Sequence, residues 1–309
     1  MYRRHPARGV ALAAALLCAP LAGAHALKSS QATCLRPEQS LRDASPRRPD
    51  FAALIDAHLR QLRRQGRIAP DERTAWSVYD FTTGEKLADI NADIKLQAAS
   101  MIKPFVALAY LQRVNEGKLA YDPASRAQLE RMLQHSDNAA TNWAMRRLGG
   151  PAAVQRQLKS DFGDTLRDLE IVEYIPRGGR TYRNKSSARD YGRFLLALWN
   201  EELPGSAEIK RLMALPKRDR ITTGTSLPDD TEVYGKTGST RHLCGDMGVV
   251  TAKGPDGRQY AYTLIGIIEK KRAARHYSSW LRSRGDVIRE ISGLVYGMMG
   301  SRHGFSAAR

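Results

Sequence analysis

A serine and a lysine three residues apart, Ser100 and Lys103, are the residues whose types and spacing most directly indicate chemistry. Positions three apart share one face of a helix, so the lysine nitrogen can reach the serine hydroxyl if the segment is helical. A serine hydroxyl becomes a nucleophile when a base lies within hydrogen-bond reach. Taken alone, the pair is more often a capping serine beside a surface lysine.

The residues that follow Ser100 predict the helix needed to position this pair. Apolar residues recur at helical spacing from Val106 to Val114, and Gly117 supplies a stop. Pro104 is compatible with a helix that begins at Ser100, because the first turn has no backbone hydrogen bond to lose. Ser100 would then lie at the positive end of the helix dipole, which favours an alkoxide and an adjacent oxyanion.

Two further short motifs occur downstream, Ser136-Asp137-Asn138 and Lys236-Thr237-Gly238. Each alone has a common structural meaning, a capping turn for the first and a strand end for the second. Together with the Ser-x-x-Lys pair, in this order, they resemble the penicillin-recognising serine hydrolases, and class A β-lactamases most of all. The resemblance runs from about Phe51 to about Met299. Within it, Asp137 is expected to hold its turn and not to catalyse.

The resemblance implies a set of catalytic roles. Ser100 would be the nucleophile and Lys103 its base, with the pKa of the base lowered by burial near a second cation, Lys236. Ser136 would relay a proton to the lactam nitrogen, and Asn138 would bind the substrate's side-chain amide.

The third motif is implied to bind substrate. Lys236 and Thr237 would attract and bind the substrate carboxylate, and Gly238 would let the substrate lie against the strand edge. The backbone N–H groups of Ser100 and Ser239 would form the oxyanion hole.

Two departures from the class A pattern concern deacylation and substrate size. Class A enzymes carry a glutamate that activates the deacylating water and an asparagine four residues later. Glu170 is the best match for that glutamate, but the later position is Tyr174, and Glu173 and Asp168 compete for the role. The stretch between the first two motifs is shorter than in typical members and lacks their Tyr-Ser-Pro segment. We therefore expect an open cleft that suits bulkier or peptide-like substrates.

A metal site is an alternative at His242, Cys244 and Asp246, which alternate along the chain. In an extended strand these side chains share a face, and zinc favours such ligands. The run is short and unlike known spacings, so no metal or other cofactor is expected. Cys244 is also one of two cysteines left after processing, and an oxidising compartment favours a Cys34–Cys244 disulfide.

The N-terminus has the features of a signal peptide. Arginines precede a short apolar run from Val10 to Leu21, and Ala24-His25-Ala26 is a small-x-small cleavage site. The run is too short to span a bilayer, so the protein is not expected to be transmembrane. We expect a soluble periplasmic protein cleaved after Ala26, with a polar leader over residues 27–49.

The formal charge of the 309-residue chain is +17, and it falls to +14 when the three arginines of the signal peptide are removed. A basic surface suits an anionic cell-envelope neighbourhood such as peptidoglycan or lipopolysaccharide. Export and the lack of a recognised motif argue against nucleic acid. A generally arginine-rich proteome explains the charge equally well.

The order of patterns predicts an α+β fold for residues 50–300. Strand patterns occur before residue 91 and again over 231–268, and helical patterns fill most of the interval, with an irregular stretch at 163–186. A long helix follows at about 277–299, and residues 301–309 are expected to be a flexible tail. The expected architecture is an antiparallel sheet flanked by helices plus an all-helical lobe over about 100–215, with the active site between them.

The resemblance therefore implies a serine β-lactamase that hydrolyses the β-lactam ring through an acyl-enzyme on Ser100. The alternatives are a D-Ala-D-Ala carboxypeptidase or endopeptidase acting on peptidoglycan peptides, and a non-catalytic peptidoglycan-binding relative. Retention of all three motifs favours an enzyme, because a binding module has no need of a lysine beside its serine.

Overall fold

A computed structural model of the chain describes residues 50–176, 178 and 181–305. The helices in this part are α1 Phe51–Arg64, α2 Lys103–Asn115, α3 Pro123–Gln134, α4 Asn138–Arg147, α5 Pro151–Phe162, α6 Ala188–Trp199, α7 Ser206–Ala214 and α8 Tyr277–His303. The strands are β1 Glu72–Asp80, β2 Glu85–Ile90, β3 Leu96–Gln97, β4 Lys185–Ser186, β5 Glu232–Ser239, β6 Leu243–Lys253 and β7 Gln259–Lys270. The expected signal peptide and polar leader lie outside the described residues.

Five of these strands form one antiparallel sheet in the order β2-β1-β7-β6-β5. The strand that carries the third motif, β5, lies at one edge and pairs with β6 from Glu232 opposite Thr251 to Ser239 opposite Cys244. The short strands β3 and β4 pair with each other. The predicted antiparallel sheet is therefore confirmed, and its third-motif strand has an unpaired edge that a ligand can approach.

The two faces of the sheet bury different helices, because successive side chains of a strand point to opposite faces. On β6, Cys244 and Val250 pack in the core that contains α1 and α8. Met247 and Val249, at the other parity, pack in the core that contains α2 and α6. The structure is thus the expected α+β arrangement, with helices on both faces and a helical lobe between β3 and β5.

Four helices begin at side chains that cap their first backbone N–H groups. Asp50, Asp122, Asp137 and Ser187 each accept a hydrogen bond from the backbone N–H three residues later, at 2.8–3.0 Å. Such a cap contributes about 0.5–2 kcal/mol to stability. The cap at Asp137 matters most for the site, because it fixes the turn of the second motif at the start of α4.

The last helix, α8, continues to His303, beyond its predicted end near residue 299. Arg302 and His303 bind the buried carboxylate of Asp80 at 3.0 and 2.8 Å, which joins the last turn of α8 to β1. Residues 301–303 therefore belong to the helix and not to the expected tail, whose residues 306–309 lie outside the described part. Within residues 50–305 as described, neither α8 nor any other helix has the length and apolar character to cross a membrane.

Cys244 carries a free, buried thiol, and its Sγ lies 3.8 Å from the carbonyl oxygen of Leu281 in α8. Its partner in the hypothesised disulfide, Cys34, lies outside the described residues. Burial raises the pKa of the Cys244 thiol to about 11, which leaves it protonated and unreactive at neutral pH.

Candidate active site

Ser100 lies in a 3₁₀ turn, Ala99–Ile102, immediately before α2. The α-helix begins at Lys103, three residues later than predicted, and Pro104 occupies its first turn, where a missing N–H breaks no hydrogen bond. Ala99 has a φ of +48°, in the left-handed region that non-glycine residues rarely adopt. Such strain persists only where the surrounding structure holds the residue in place, and here it sets the direction of the serine that follows.

Lys103 is fully buried and joins the first motif to the second. Its Nζ donates to the carbonyl oxygen of Ser136 at 2.5 Å, to the Ser136 hydroxyl at 3.1 Å and to Asn138 Oδ1 at 2.9 Å. The backbone N–H of Lys103 donates to the carbonyl oxygen of Ser100. Among the described residues, however, no hydrogen bond joins Lys103 Nζ to the Ser100 hydroxyl, which is the bond expected from their spacing.

The turn of the second motif is held by its own residues. Ser136 has a φ of +56°, and is the second strained residue of the site. Asp137 accepts a hydrogen bond from the backbone N–H of Ala140 at 2.9 Å and from Arg131 Nε at 3.1 Å. The expected structural role of Asp137 is therefore confirmed, and its capped turn directs Ser136 and Asn138 towards Lys103.

The third motif lies on β5 beside the Ser100 turn. Lys236 is buried, and its Nζ donates to the carbonyl oxygen of Thr237 at 3.0 Å. A side chain at Gly238 would place its Cβ 2.9 Å from Cγ of Met101, so only glycine lets the Ser100 turn pack this closely on β5. We expected Gly238 to leave room for substrate. The structure gives it another role, the close approach of the first motif to the third.

Arg220 supports the end of β5 and is a site residue that the sequence analysis missed. Its guanidinium donates to the hydroxyl of Ser239 at 2.7 Å and to the carbonyl oxygen of Gly245 at 3.0 Å. Its backbone N–H donates to the fully buried carboxylate of Asp246 at 2.6 Å. The only sequence signal was the charged run at 217–220, whose distance from β5 along the chain hid the contact.

The three residues considered as zinc ligands have separate partners. The ring of His242 makes a hydrogen bond with the carbonyl oxygen of Lys270 at 3.1 Å, Cys244 faces α8 and Asp246 holds the Arg220 backbone. Among the residues that the structure describes, no three His, Cys, Asp or Glu side chains are grouped as metal ligands.

Glu170, the expected deacylating base, lies in the loop between α5 and β4. Its carboxylate pairs with Lys95 at 2.8 Å, and its backbone forms an isolated β-bridge with Lys185. Its side chain is 38% exposed, and within the described residues it makes no hydrogen bond or ion pair to the first two motifs. A catalytic role for Glu170 stays a prediction.

The two competing carboxylates of this loop serve its conformation. Glu173 Oε1 accepts hydrogen bonds from the hydroxyl of Thr181 and from the backbone N–H groups of Tyr182 and Arg183, at 3.0–3.1 Å. Asp168 accepts a hydrogen bond from the hydroxyl of Ser187 at 2.7 Å. Glu173 is therefore bound within its own loop, and Asp168 is bound to the residue that caps α6.

The sequence profile of the beta-lactamase enzyme family matches residues 60–127 and 124–297. The chain belongs to this family. A variant of the last common ancestor of Gram-negative bacteria class A β-lactamase is 23% identical, with a TM-score of 0.62 over 82% of this chain and 100% of that chain. PBP-A is 20% identical, with a TM-score of 0.60 over 77% of this chain and 95% of that chain. A search of curated proteins found no match.

A mutant of PBP-A has also been solved as an acyl-enzyme complex with penicillin G, and it has the same fold as this chain. Its identity to this chain is 20%, with a TM-score of 0.60 over 77% of this chain and 96% of that chain. At these identities the solved structures establish the shared fold and leave the reaction to be argued from the site.

In this beta-lactamase-family site, two buried lysines repel each other. Burial, reinforced by the charge of Lys236, lowers the pKa of Lys103 to about 6. Burial also lowers the pKa of Lys236 to about 7, with the charges of Lys217 and Arg220 acting in the same direction and Asp246 opposing them. At neutral pH the Lys103 amine is mostly neutral, so it has two N–H groups for its three oxygen contacts and a lone pair that can accept a hydroxyl proton.

We expect the acylation specificity constant to have a narrow bell-shaped pH profile. It should rise as pH increases through about 6, because Lys103 must lose its proton to act as a base. It should fall above about 7, because Lys236 must keep its proton to attract a carboxylate. Stopped-flow acylation between pH 5 and 9 tests this, with circular dichroism as the control for folding. A rate that does not change over this range would rule out both assignments.

Replacing Lys236 with alanine should lower the acylation specificity constant for a penicillin about ten- to a hundredfold. A lost charge-assisted contact typically costs about 1.5–3 kcal/mol, which corresponds to that change in rate. Lys253→Ala, at an exposed lysine of β6, is the matched control and should leave the constant within about twofold. An unchanged constant for Lys236→Ala would mean that the third motif is an ordinary strand end.

Proposed function

We propose that this member of the family is a serine hydrolase that opens β-lactam rings by forming an acyl-enzyme on Ser100. The observation that carries the proposal is the buried Lys103, whose nitrogen contacts both the hydroxyl of Ser136 and the amide of Asn138. A structural lysine would be stabilised by a carboxylate partner. This lysine has polar, uncharged partners and a lowered pKa, as a general base requires.

In the proposed acylation, Ser100 Oγ attacks the lactam carbonyl carbon and its proton passes to Lys103 Nζ. The resulting oxyanion is stabilised by the backbone N–H groups of Ser100 and Ser239. When the C–N bond breaks, the Ser136 hydroxyl gives its proton to the lactam nitrogen and regains one from Lys103, with which it is hydrogen-bonded at 3.1 Å. The reaction needs no cofactor, since side chains carry every proton.

The remaining groups would orient the substrate. Lys236 and Thr237 would bind its carboxylate, as the family resemblance implies. The Oδ1 atom of Asn138 already accepts from Lys103, so the Nδ2 group is the part of this side chain left to donate to the carbonyl of the substrate's side-chain amide.

We propose that deacylation is slow, because each of the three carboxylates considered as its base is engaged in another contact. Glu170 is paired with Lys95, Glu173 is bound within its own loop, and Asp168 is bound to Ser187 at the start of α6. A water that attacks an acyl-serine needs a base nearby. These contacts favour a second candidate function, a penicillin-binding hydrolase that acts on peptidoglycan peptides and is trapped by β-lactams.

Replacing Glu170 with glutamine should change the deacylation rate by less than about twofold, because the lost carboxylate serves an exposed ion pair. The wild type should already accumulate the acyl-enzyme. Fluorescent penicillin labelling, followed by release of the label after excess unlabelled penicillin is added, measures both steps. Glu116→Gln, at another exposed ion-paired carboxylate, is the control. Rapid release by the wild type, slowed tenfold or more in Glu170→Gln, would instead establish Glu170 as the base of an efficient β-lactamase.

We also propose a periplasmic location, on the basis of the signal-peptide features before Ala26. The net positive charge would favour residence near anionic envelope polymers. Peptidoglycan peptides are the natural substrates expected at such a location, with β-lactams as the small molecules that react with the same serine.

A further inference from the structure

We infer that a cavity beside Thr237 is a second anion subsite, which selects substrates with an additional acidic group on the leaving-group side of the scissile amide. The cavity has a volume of about 440 Å³ and lies between residues 218–220, Thr237 and the first turns of α8. This inference rests on the proposed function, because it takes Thr237 as part of the site that binds the first carboxylate.

The lining of this cavity carries a strong positive charge. Four arginines line it, Arg218, Arg220, Arg282 and Arg289, together with one acid, Asp219. A cavity with low-dielectric walls and charges of one sign concentrates ions of the opposite sign. Arginine guanidinium groups also bind carboxylate, sulfonate and phosphate through paired hydrogen bonds.

The single acid offsets only one of the four arginine charges, and its carboxylate oxygens are bound by its own loop. Asp219 is buried, and it accepts hydrogen bonds from the backbone N–H groups of residues 221–223 at 2.6–3.2 Å. The hydroxyls of Thr222 and Thr223 donate to its other oxygen at 3.0 and 3.1 Å. Both carboxylate oxygens of Asp219 thus accept hydrogen bonds from its own loop.

Two of the arginines are structural and two are available. Arg220 is occupied by Ser239 and Gly245, and Arg289 donates to the carbonyl oxygen of Thr223 at 2.7 Å. By contrast, Arg218 and Arg282 are exposed and make no hydrogen bond or ion pair with any residue that the structure describes. An anion entering the cavity could therefore bind both without breaking an existing contact.

The position of the cavity determines which part of a substrate would enter it. Lys236 and Thr237 are proposed to bind the carboxylate next to the scissile nitrogen, and the cavity begins at Thr237. A second acidic group on this same side of the substrate would extend into the cavity. The substrate class is therefore an amide whose leaving amine carries two acidic groups, or a cephalosporin with an anionic substituent at C3.

The test compares two cephalosporins that differ in this charge alone. Cefonicid and cefamandole share the mandelamide side chain and the tetrazolylthiomethyl group, and cefonicid has an additional sulfonate on the tetrazole substituent. We expect the wild-type enzyme to be acylated about tenfold faster by cefonicid at low ionic strength, in line with one added charge-assisted contact. The double variant Arg218→Gln/Arg282→Gln should lose this preference. Salt at 0.5 M should weaken the preference in the wild type, because Arg218 and Arg282 are exposed and salt screens their attraction for the sulfonate.

A charge-matched double variant, Arg64→Gln/Arg156→Gln, removes two exposed arginines from α1 and α5 and should retain the preference. If the Arg218/Arg282 variant keeps the wild-type ratio while both compounds acylate Ser100, the subsite inference is wrong and the proposed function stands. If both double variants lose the preference for cefonicid equally, the preference comes from the net charge of the protein, and the subsite inference is also wrong. If neither compound acylates Ser100 in the wild type, the proposed function fails, and the subsite fails with it.

Discussion

Replacing Ser100 with alanine should abolish covalent reaction with every β-lactam, since Ser100 is the proposed nucleophile and the other serine of the site, Ser136, is proposed to relay a proton. The folded state should be little affected. The Ser100 hydroxyl makes no hydrogen bond within the described residues, so its removal leaves no buried partner unsatisfied. We expect the melting temperature to change by less than about 4 °C, which corresponds to about 1 kcal/mol for a domain of this size.

Intact-mass spectrometry after penicillin G exposure measures the loss of the covalent adduct. Thermal unfolding followed by circular dichroism measures the change in melting temperature. Ser136→Ala is an informative comparison, because it removes a serine from the same site that is proposed to relay a proton and not to attack. It should slow acylation but still form an adduct. An adduct of normal yield on Ser100→Ala would show that another residue is the nucleophile.

Replacing Lys103 with methionine should slow acylation about 10²- to 10⁴-fold, the usual contribution of a positioned general base. Methionine keeps most of the buried volume, so the effect reports on the amine and not on a cavity. The variant also leaves the carbonyl and hydroxyl of Ser136 and the Oδ1 of Asn138 without their donor, so some loss of stability is expected.

The pH profile separates the chemical effect of this variant from a structural one. Any residual acylation by Lys103→Met should lack the rise through pH 6 that the wild-type amine produces. Lys118→Met, at an exposed lysine, is the control for the substitution itself. A variant that acylates at the wild-type rate, or that keeps the rise near pH 6, would assign the base to another residue.

The parts of the fold that depend on local pattern could be predicted from the sequence. The helical and strand patterns place the long strands before residue 91 and over 231–268, and the helices in the interval between them. Local signals suffice for this, since capping residues such as Asp122 and Ser187 act within one turn. The start of α2 was wrong by three residues because a 3₁₀ turn and an α-helix share their spacing over so short a segment. The end of α8 was wrong because its last turn depends on Asp80, more than two hundred residues earlier in the chain.

The residues of the three recognised motifs could be predicted from the sequence. The contacts that distant residues make with them could not. The three motifs do meet around Lys103 and β5. The sequence could not reveal that Arg220 supports Ser239, or that Lys95 holds Glu170, because each pair is distant along the chain. The packing role of Gly238 was also hidden, since its neighbour Met101 belongs to another motif.

The strained backbone at Ala99 and Ser136 was equally invisible in the sequence. Neither residue is a type that favours a positive φ. Ala99 precedes the proposed nucleophile Ser100, and Ser136 is the proposed proton relay. These two conformations are consistent with a site whose serines are held in fixed directions by packing and by the capped turn of α4.

The most direct test of the account is to map the site of covalent modification in the wild-type protein. The protein would be exposed briefly to penicillin G, denatured in acid and digested, and the modified peptide sequenced by tandem mass spectrometry. The account predicts one adduct per chain, of the mass of one intact penicillin, located on Ser100. An adduct on any other residue, or no adduct while penicillin is being consumed, would contradict it.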